Sequence, residues 1–277
     1  MAALDFPASP SNGQQFSGPG GVIWVYDLPG TKWVAATLTT GVYAPINSVP
    51  NINCADNTGF AVNQRAFVSG TALAAAAFGH DRWKAGGGGC TYTFAGHTGP
   101  ANTITITAGT LQQVVEGANL VAGNYVLSWT GTAQGRVGAG SYAASPVSVA
   151  GITAGANTTI EFNTGTLGQV KFEAGTVATP WQALPYQQDL AKGKRFYRAY
   201  TNVLLPGYGG AGGTVLFDYF YEDMQGNPVP GILNTVYTNC SALTINLATF
   251  NHIRLTVTAT AVGTAFATFD MLLSADI

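Results

Sequence analysis

The chain is short of charge. Lys, Arg, Asp and Glu make up 9% of its 277 residues, against about 25% in an ordinary soluble domain. Eleven basic and thirteen acidic residues leave a net charge of −2. No basic excess exists to neutralise phosphates, which argues against nucleic-acid binding as a main function. Cysteine is scarce as well. Cys54, Cys90 and Cys240 are widely spaced, which fits neither a disulfide framework nor a zinc pattern; the expectation is three small buried thiols. Long apolar runs are missing: Ala72–Phe78 is far too short to cross a bilayer, so no membrane insertion is expected. The opening MAALDFPASP has neither a basic nor an apolar signal-peptide region.

What is plentiful is glycine, 36 residues, within a composition that is 47% hydrophobic. That hydrophobic share is too high for a disordered chain. Periodicity of two dominates. Thr103–Thr107, Ile253–Thr258 and Val170–Glu173 alternate apolar and polar residues, the mark of half-buried strands. Gly, Asn, Pro and Ser turns separate them at short spacing, as in sandwiches and barrels. The expected fold class is all-β. Helix is expected only over Thr71–Phe78 and Gln187–Tyr197, the latter interrupted at Gly193.

Three segments differ in composition. Residues 1–50 carry a hairpin, Val22–Tyr26 and Lys32–Val34, around Asp27-Leu28-Pro29-Gly30. A lone hairpin is marginal in water, so exposed Trp24, Tyr26 and Trp33 are expected to pack on another subunit and attach the chain to a larger particle. Residues 51–184 form the largest β block. Residues 185–277 open on Lys192, Lys194, Arg195 and Arg198 and return to strands.

Motifs of known chemistry mostly fail on context. His80, His97 and His252 have no second ligand at metal spacing, and HExxH and GxSxG are absent. No metal or cofactor is expected, and His80 reads as a structural hydrogen-bonding residue. Gly207–Gly212 spells GxGxxG, but the apolar run Thr214–Tyr221 follows it. Dinucleotide binding needs a helix there, so this is a hairpin loop. Gly86–Gly89 reads as a flexible turn. Glycoside hydrolysis needs two facing carboxylates, and among the sparse acids only a convergence of Asp81 and Glu116 stands open.

Aromatics are the remaining resource: 14 Phe, 12 Tyr and 5 Trp. Rows such as Cys90, Tyr92, Phe94 and Tyr125, Leu127, Trp129 read as core. Others are candidates for stacking on sugar rings. A polysaccharide site is expected among Trp83, Gln112, Glu116, Arg136 and Tyr142. In it, polar groups interrupt the apolar run Leu111–Glu116, and the glycine-rich stretch Gly135–Ser141 leaves room for a ligand.

Asp5–Pro10, Asn12-Gly13-Gln14 and the Trp24–Trp33 hairpin resemble the N-terminal module of tailed-phage fibre and spike proteins. Asn63–Phe67 through Gly79-His80-Asp81-Arg82-Trp83 resembles the start of their carbohydrate-binding-like jelly roll, and Gly168–Trp181 its closing strand. Lys194–Tyr197 resembles the start of their C-terminal β domain, without the cysteine often found near Gly193 or Lys194 there. The resemblance extends to phage-derived particles such as gene transfer agents. It implies a three-part architecture: an N-terminal hairpin module (1–50), a central antiparallel jelly-roll sandwich (51–184) and a C-terminal β domain (185–277). It also implies a place on the particle surface, contact with other virion proteins and adhesion to host cell-surface polysaccharide without catalysis. A purely structural or decorating particle protein is the alternative, and a capsule depolymerase the third choice. Low charge and edge strands in need of cover point to a homo-oligomer, trimer ahead of pentamer, with the Phe217, Tyr219, Tyr221 row as interface.

Overall fold

The structure is a computed structural model, and it describes residues 6–17, 23–27, 29, 31–35, 52–96 and 99–277. His97 and turn residues Leu28 and Gly30 lie outside them. The fold is all-β, and every strand pairing among the described residues is antiparallel. The chain divides into two compact units, Met1–Pro50 and Asn51–Ile277.

In the first unit, β1 (Gln15–Ser17) joins β2 (Ile23–Asp27) and β3 (Lys32–Ala35) in one sheet. The third strand corrects the expectation of a bare hairpin, and so does the packing of its aromatics. Phe6 stacks on Trp33 at 5.0 Å and meets Trp24 edge-on at 5.5 Å, while Tyr26 lies 5.4 Å from Trp33. Trp24, Tyr26 and Trp33 are half-buried on one another and on Phe6 and Phe16 rather than fully exposed.

The second unit begins with one eight-stranded sheet. Its strands are β4 (Ala72–Leu73), β5 (Lys84–Phe94), β6 (Thr103–Val115), β7 (Gly123–Thr130), β8 (Gly135–Val137), β9 (Val147–Ile152), β10 (Thr158–Phe162) and β11 (Gly165–Ala174). The long strand β6 is the branch point. Its first half pairs with β11, which leads to β7 and β9; its second half pairs with β10, which leads to β8. Both arms contribute to one core, which makes the domain sandwich-like. The expected core rows are in it: Cys90, Tyr92, Tyr125, Leu127 and Trp129 are buried, and Phe94 packs against them. Thr71–Phe78 is not a helix but holds the short strand β4 and a turn. Gly86–Gly89 is not a free turn but a bulged part of β5, where the register shifts between Ala85 and Cys90.

Two polar members of the alternating run at Val170–Glu173 go inward. Lys171 and Glu173 form a buried ion pair at 3.1 Å. Thr179 completes it, accepting from Lys171 at 2.5 Å and donating its backbone N–H and hydroxyl to Glu173 at 2.7 and 2.5 Å. The pair therefore staples the segment after β11 onto the sheet.

Helix α1 (Tyr186–Lys194) leads to the last block and runs through Gly193, where it was expected to break. That glycine lies against another element: a Cβ there would sit 3.3 Å from Asp81 Oδ2. The block has two three-stranded sheets. One is β12 (Tyr197–Gly209), β17 (Gly263–Ser274) and β14 (Val229–Thr238); the other is β13 (Thr214–Phe220), β16 (His252–Ala259) and β15 (Cys240–Thr249). Leu205, Phe269, Met271, Ile253 and Leu255 fill the core between them. The turn between β12 and β13 is Gly210–Gly213, shorter than the expected Gly207–Gly212 loop, because Gly207, Tyr208 and Gly209 stay in β12 and pair with Ala265, Thr264 and Gly263. Phe217, Tyr219 and Tyr221 pack against this core, so they are not the outward row expected to form an interface; Leu216 and Phe220 are exposed instead. Both rows are apolar, so alternation alone assigns neither face. Cys90 and Cys240 are buried free thiols and Cys54 is half-buried.

Candidate functional site

The five residues expected to bind glycan separate into two groups. Trp83 and Glu116 belong to the framework. Trp83 is 0% exposed, packs against Phe60 and Phe162 and donates its indole N–H to Asn57 O at 3.0 Å. Glu116 is buried and accepts two hydrogen bonds from Arg195, at 3.0 and 3.2 Å. Neither faces a ligand, and both are corrections to the expected site.

The surroundings of these two residues explain the polar run Gly79–Trp83. It forms the seam between the central sheet and the C-terminal sandwich. The Arg82 guanidinium lies 3.4 Å from the Phe196 ring centroid, donates to Val114 O at 2.7 Å and contacts Asp56 at 3.4 Å. Lys192 of α1 reaches Asp56 at 3.2 Å. Gln64 Nε2 donates to Asp81 at 2.6 Å and to Tyr197 O at 3.1 Å. Arg65 pairs with Asp276 and lies over Tyr197. His80 Nδ1 stands 2.9 Å from the Tyr92 hydroxyl, consistent with a structural hydrogen bond. Asp81 and Glu116 are thus each engaged by different partners. Burial pushes the Asp81 carboxyl up to about 6, despite the two hydrogen bonds from Gln64 and the nearby Arg65 charge.

Gln112, Arg136 and Tyr142 do gather, and the strand register explains how. Lys84 on β5 is opposite Gln112 on β6; Gln112 is opposite Glu161 on β10; Glu161 is opposite Arg136 on β8. The next row, Ala85, Leu111, Phe162, Gly135, points into the core. Alternation therefore puts the polar row on the outer face. Four strands at about 4.8 Å spacing make it roughly 14 Å long.

Glu161 is the organising member. Arg136 donates to its Oε2 through Nε at 2.7 Å and also through a terminal nitrogen, and Thr110 Oγ1 donates to its Oε1 at 2.6 Å. Arg136 lies 4.5 Å from the centroid of the Tyr142 ring. The Tyr142 hydroxyl is buried beside Glu161 and Thr110. Burial first, then the Glu161 charge, raises its pKa. Gly86 closes one side: a Cβ there would sit 2.0 Å from Thr110 Oγ1 and 2.8 Å from Glu161. Gly87 and Gly88 beside it have nothing within 4 Å of a built Cβ. Glu161 was not among the expected site residues; the sign in the sequence is a carboxylate between Ile160 and Phe162 in an apolar strand.

The row offers a half-exposed aromatic ring, guanidinium and amide donors and a shielded carboxylate. It holds no acid–base pair across a cleft. Among the described residues no group of three or more His, Cys, Asp or Glu is placed to hold a metal ion, and no helix is long and apolar enough to cross a membrane. No family model matches the chain, and neither does any curated protein or solved structure.

Proposed function

We propose that the chain is a non-enzymatic adhesion subunit on the surface of a phage or phage-like particle. It binds host cell-surface polysaccharide through Gln112, Arg136 and Tyr142 on the outer face of the β5-β6-β10-β8 sheet. The observation that carries the reading is the cross-strand row Lys84–Gln112–Glu161–Arg136 with the Tyr142 ring beside it. An open, polar, glycine-flanked strip with one aromatic suits a linear sugar chain, whose hydroxyls need fixed donors and whose C–H faces need an apolar ring. Glu161 orients Arg136 and leaves part of the guanidinium for a hydroxyl or a sugar carboxylate. Trp24, Tyr26 and Trp33 stay with the N-terminal unit as its attachment surface, as the half-exposed edge of a packed aromatic cluster.

A scaffold reading, a particle protein with no glycan ligand, is favoured by one observation: Glu161 already has partners within the chain. Incubating the full chain with purified surface polysaccharides from a panel of bacteria separates the readings. The adhesion reading predicts saturable binding with no shortening of the polysaccharide, and Arg136→Ala weakens it by roughly 10- to 150-fold. Absence of binding across the panel favours the scaffold, and shortened chains a depolymerase.

A further inference from the structure

The charge of the central domain is balanced, and its cations are committed. Residues 51–184 hold five basic and five acidic side chains. Each basic one is held from within the chain. Arg65 pairs with Asp276, Arg82 lies 3.4 Å from Asp56, and Lys171 lies 3.1 Å from Glu173. Lys84, at one end of the Lys84–Gln112–Glu161–Arg136 row, donates to Ile277 O at 3.0 Å and stands in the field of Asp276. That leaves Arg136, whose side chain is 32% exposed. Its Nε and one terminal nitrogen both donate to Oε2 of Glu161.

This arrangement discriminates by charge. A sugar carboxylate is held best by a guanidinium that offers two parallel N–H groups. Two of the three Arg136 nitrogens already serve Glu161, so one edge of the fork is occupied. An incoming acid would also face the Glu161 charge across a single guanidinium, and like charges at that range repel. Glu161 is not free to swing away, because Thr110 Oγ1 donates to its other oxygen at 2.6 Å. A sugar hydroxyl meets neither obstacle. It accepts from the remaining Arg136 nitrogen and donates to an amide oxygen such as that of Gln112, whose NH₂ supplies a further donor.

We infer that the row takes neutral polysaccharide and turns acidic polysaccharide away, with Glu161 as the residue that sets the choice. The inference rests on the sugar reading of the row and adds to it the charge class of the ligand. Arg136 then serves hydroxyls and not carboxylates, and binding is indifferent to salt.

The test measures binding of the full chain to three sets of polymers. These are neutral bacterial surface polysaccharides, uronate-bearing ones, and the latter after reduction of every carboxyl to a primary alcohol. At least one neutral polymer must bind, with affinity constant within about twofold between about 10 mM and about 1 M NaCl, over which the screening length falls from about 30 to about 3 Å. Wherever a reduced polymer binds, its native uronate form must bind at least about tenfold more weakly. Glu161→Gln, with unchanged circular dichroism, must gain at least about tenfold toward the uronate polymers, and the gain must vanish at high salt. A native uronate polymer that binds as tightly as its reduced form overturns the inference and leaves the sugar site standing. A folded Glu161→Gln variant without the gain does the same. Binding of no polymer overturns the sugar reading and the inference with it. Where Glu161→Gln does not fold, the native and reduced polymers on the unaltered chain decide alone.

Discussion

The central sheet and the C-terminal sandwich differ in how many of their charged groups are drawn inside. In the central domain charged groups are drawn inside or into the seam: Lys171 with Glu173, Arg82 with Asp56, Glu116 with Arg195. Few of its large apolar side chains are exposed. In the C-terminal sandwich Asp218 and Arg254 pair on an outer face, and most of the exposed large apolar residues among those described are here. The contrast shows that low overall charge does not describe one kind of surface. The central domain spends its charges on fixing its own segments, and the sandwich is left with an unclad sheet.

The largest expected effect comes from breaking the inward half of the comparison. Glu173→Ala leaves the Lys171 ammonium buried and unpaired and frees the Thr179 segment, at a cost of about 3–5 kcal/mol. Urea denaturation measures it. A loss under about 1 kcal/mol would mean that water reaches the pair.

The next effect is a pH dependence. Asp81 titrates near 6 in the folded chain, against 3.8 as its ordinary value. The folded state binds the proton more tightly, so its contribution is greatest on the acid side and is lost as pH rises from about 4 to about 6. The expected drop is on the order of 1–3 kcal/mol over that window. Asp81→Asn should flatten the slope; an unchanged slope would assign the titration to another group.

The smallest effect belongs to the outward half. Leu216→Glu, an exposed position among threonines, should change unfolding free energy by no more than about 0.5 kcal/mol. A larger loss would show that Leu216 packs against other groups rather than facing water.

The strand rows were legible because alternation is a local signal. Thr103–Thr107, Ile253–Thr258 and the Tyr125, Leu127, Trp129 row all followed from it. The site was legible only in part. Gln112, Arg136 and Tyr142 stood out as polar or aromatic interruptions, but Glu161, which joins them, comes from a strand 25 residues beyond Arg136. Trp83 and Glu116 misled because their partners are distant. Glu116 is matched by Arg195, 79 residues on, and the polar neighbours of Trp83 are consumed at a seam that no local pattern announces. The Phe217 row misled because both faces of β13 are apolar.

The central claim, that the row beside Glu161 is a sugar site, is tested most directly by a pair of substitutions at Tyr142. Polysaccharide affinity and melting temperature are measured for wild type, Tyr142→Phe and Tyr142→Ala. Tyr142→Phe keeps the ring and removes only the buried hydroxyl beside Glu161 and Thr110. It should bind like wild type and remain folded. Tyr142→Ala removes the stacking surface and should lose roughly tenfold in affinity, about 1.4 kcal/mol, while remaining folded. Equal binding by all three proteins would contradict the claim and leave the row a structural element of the sheet.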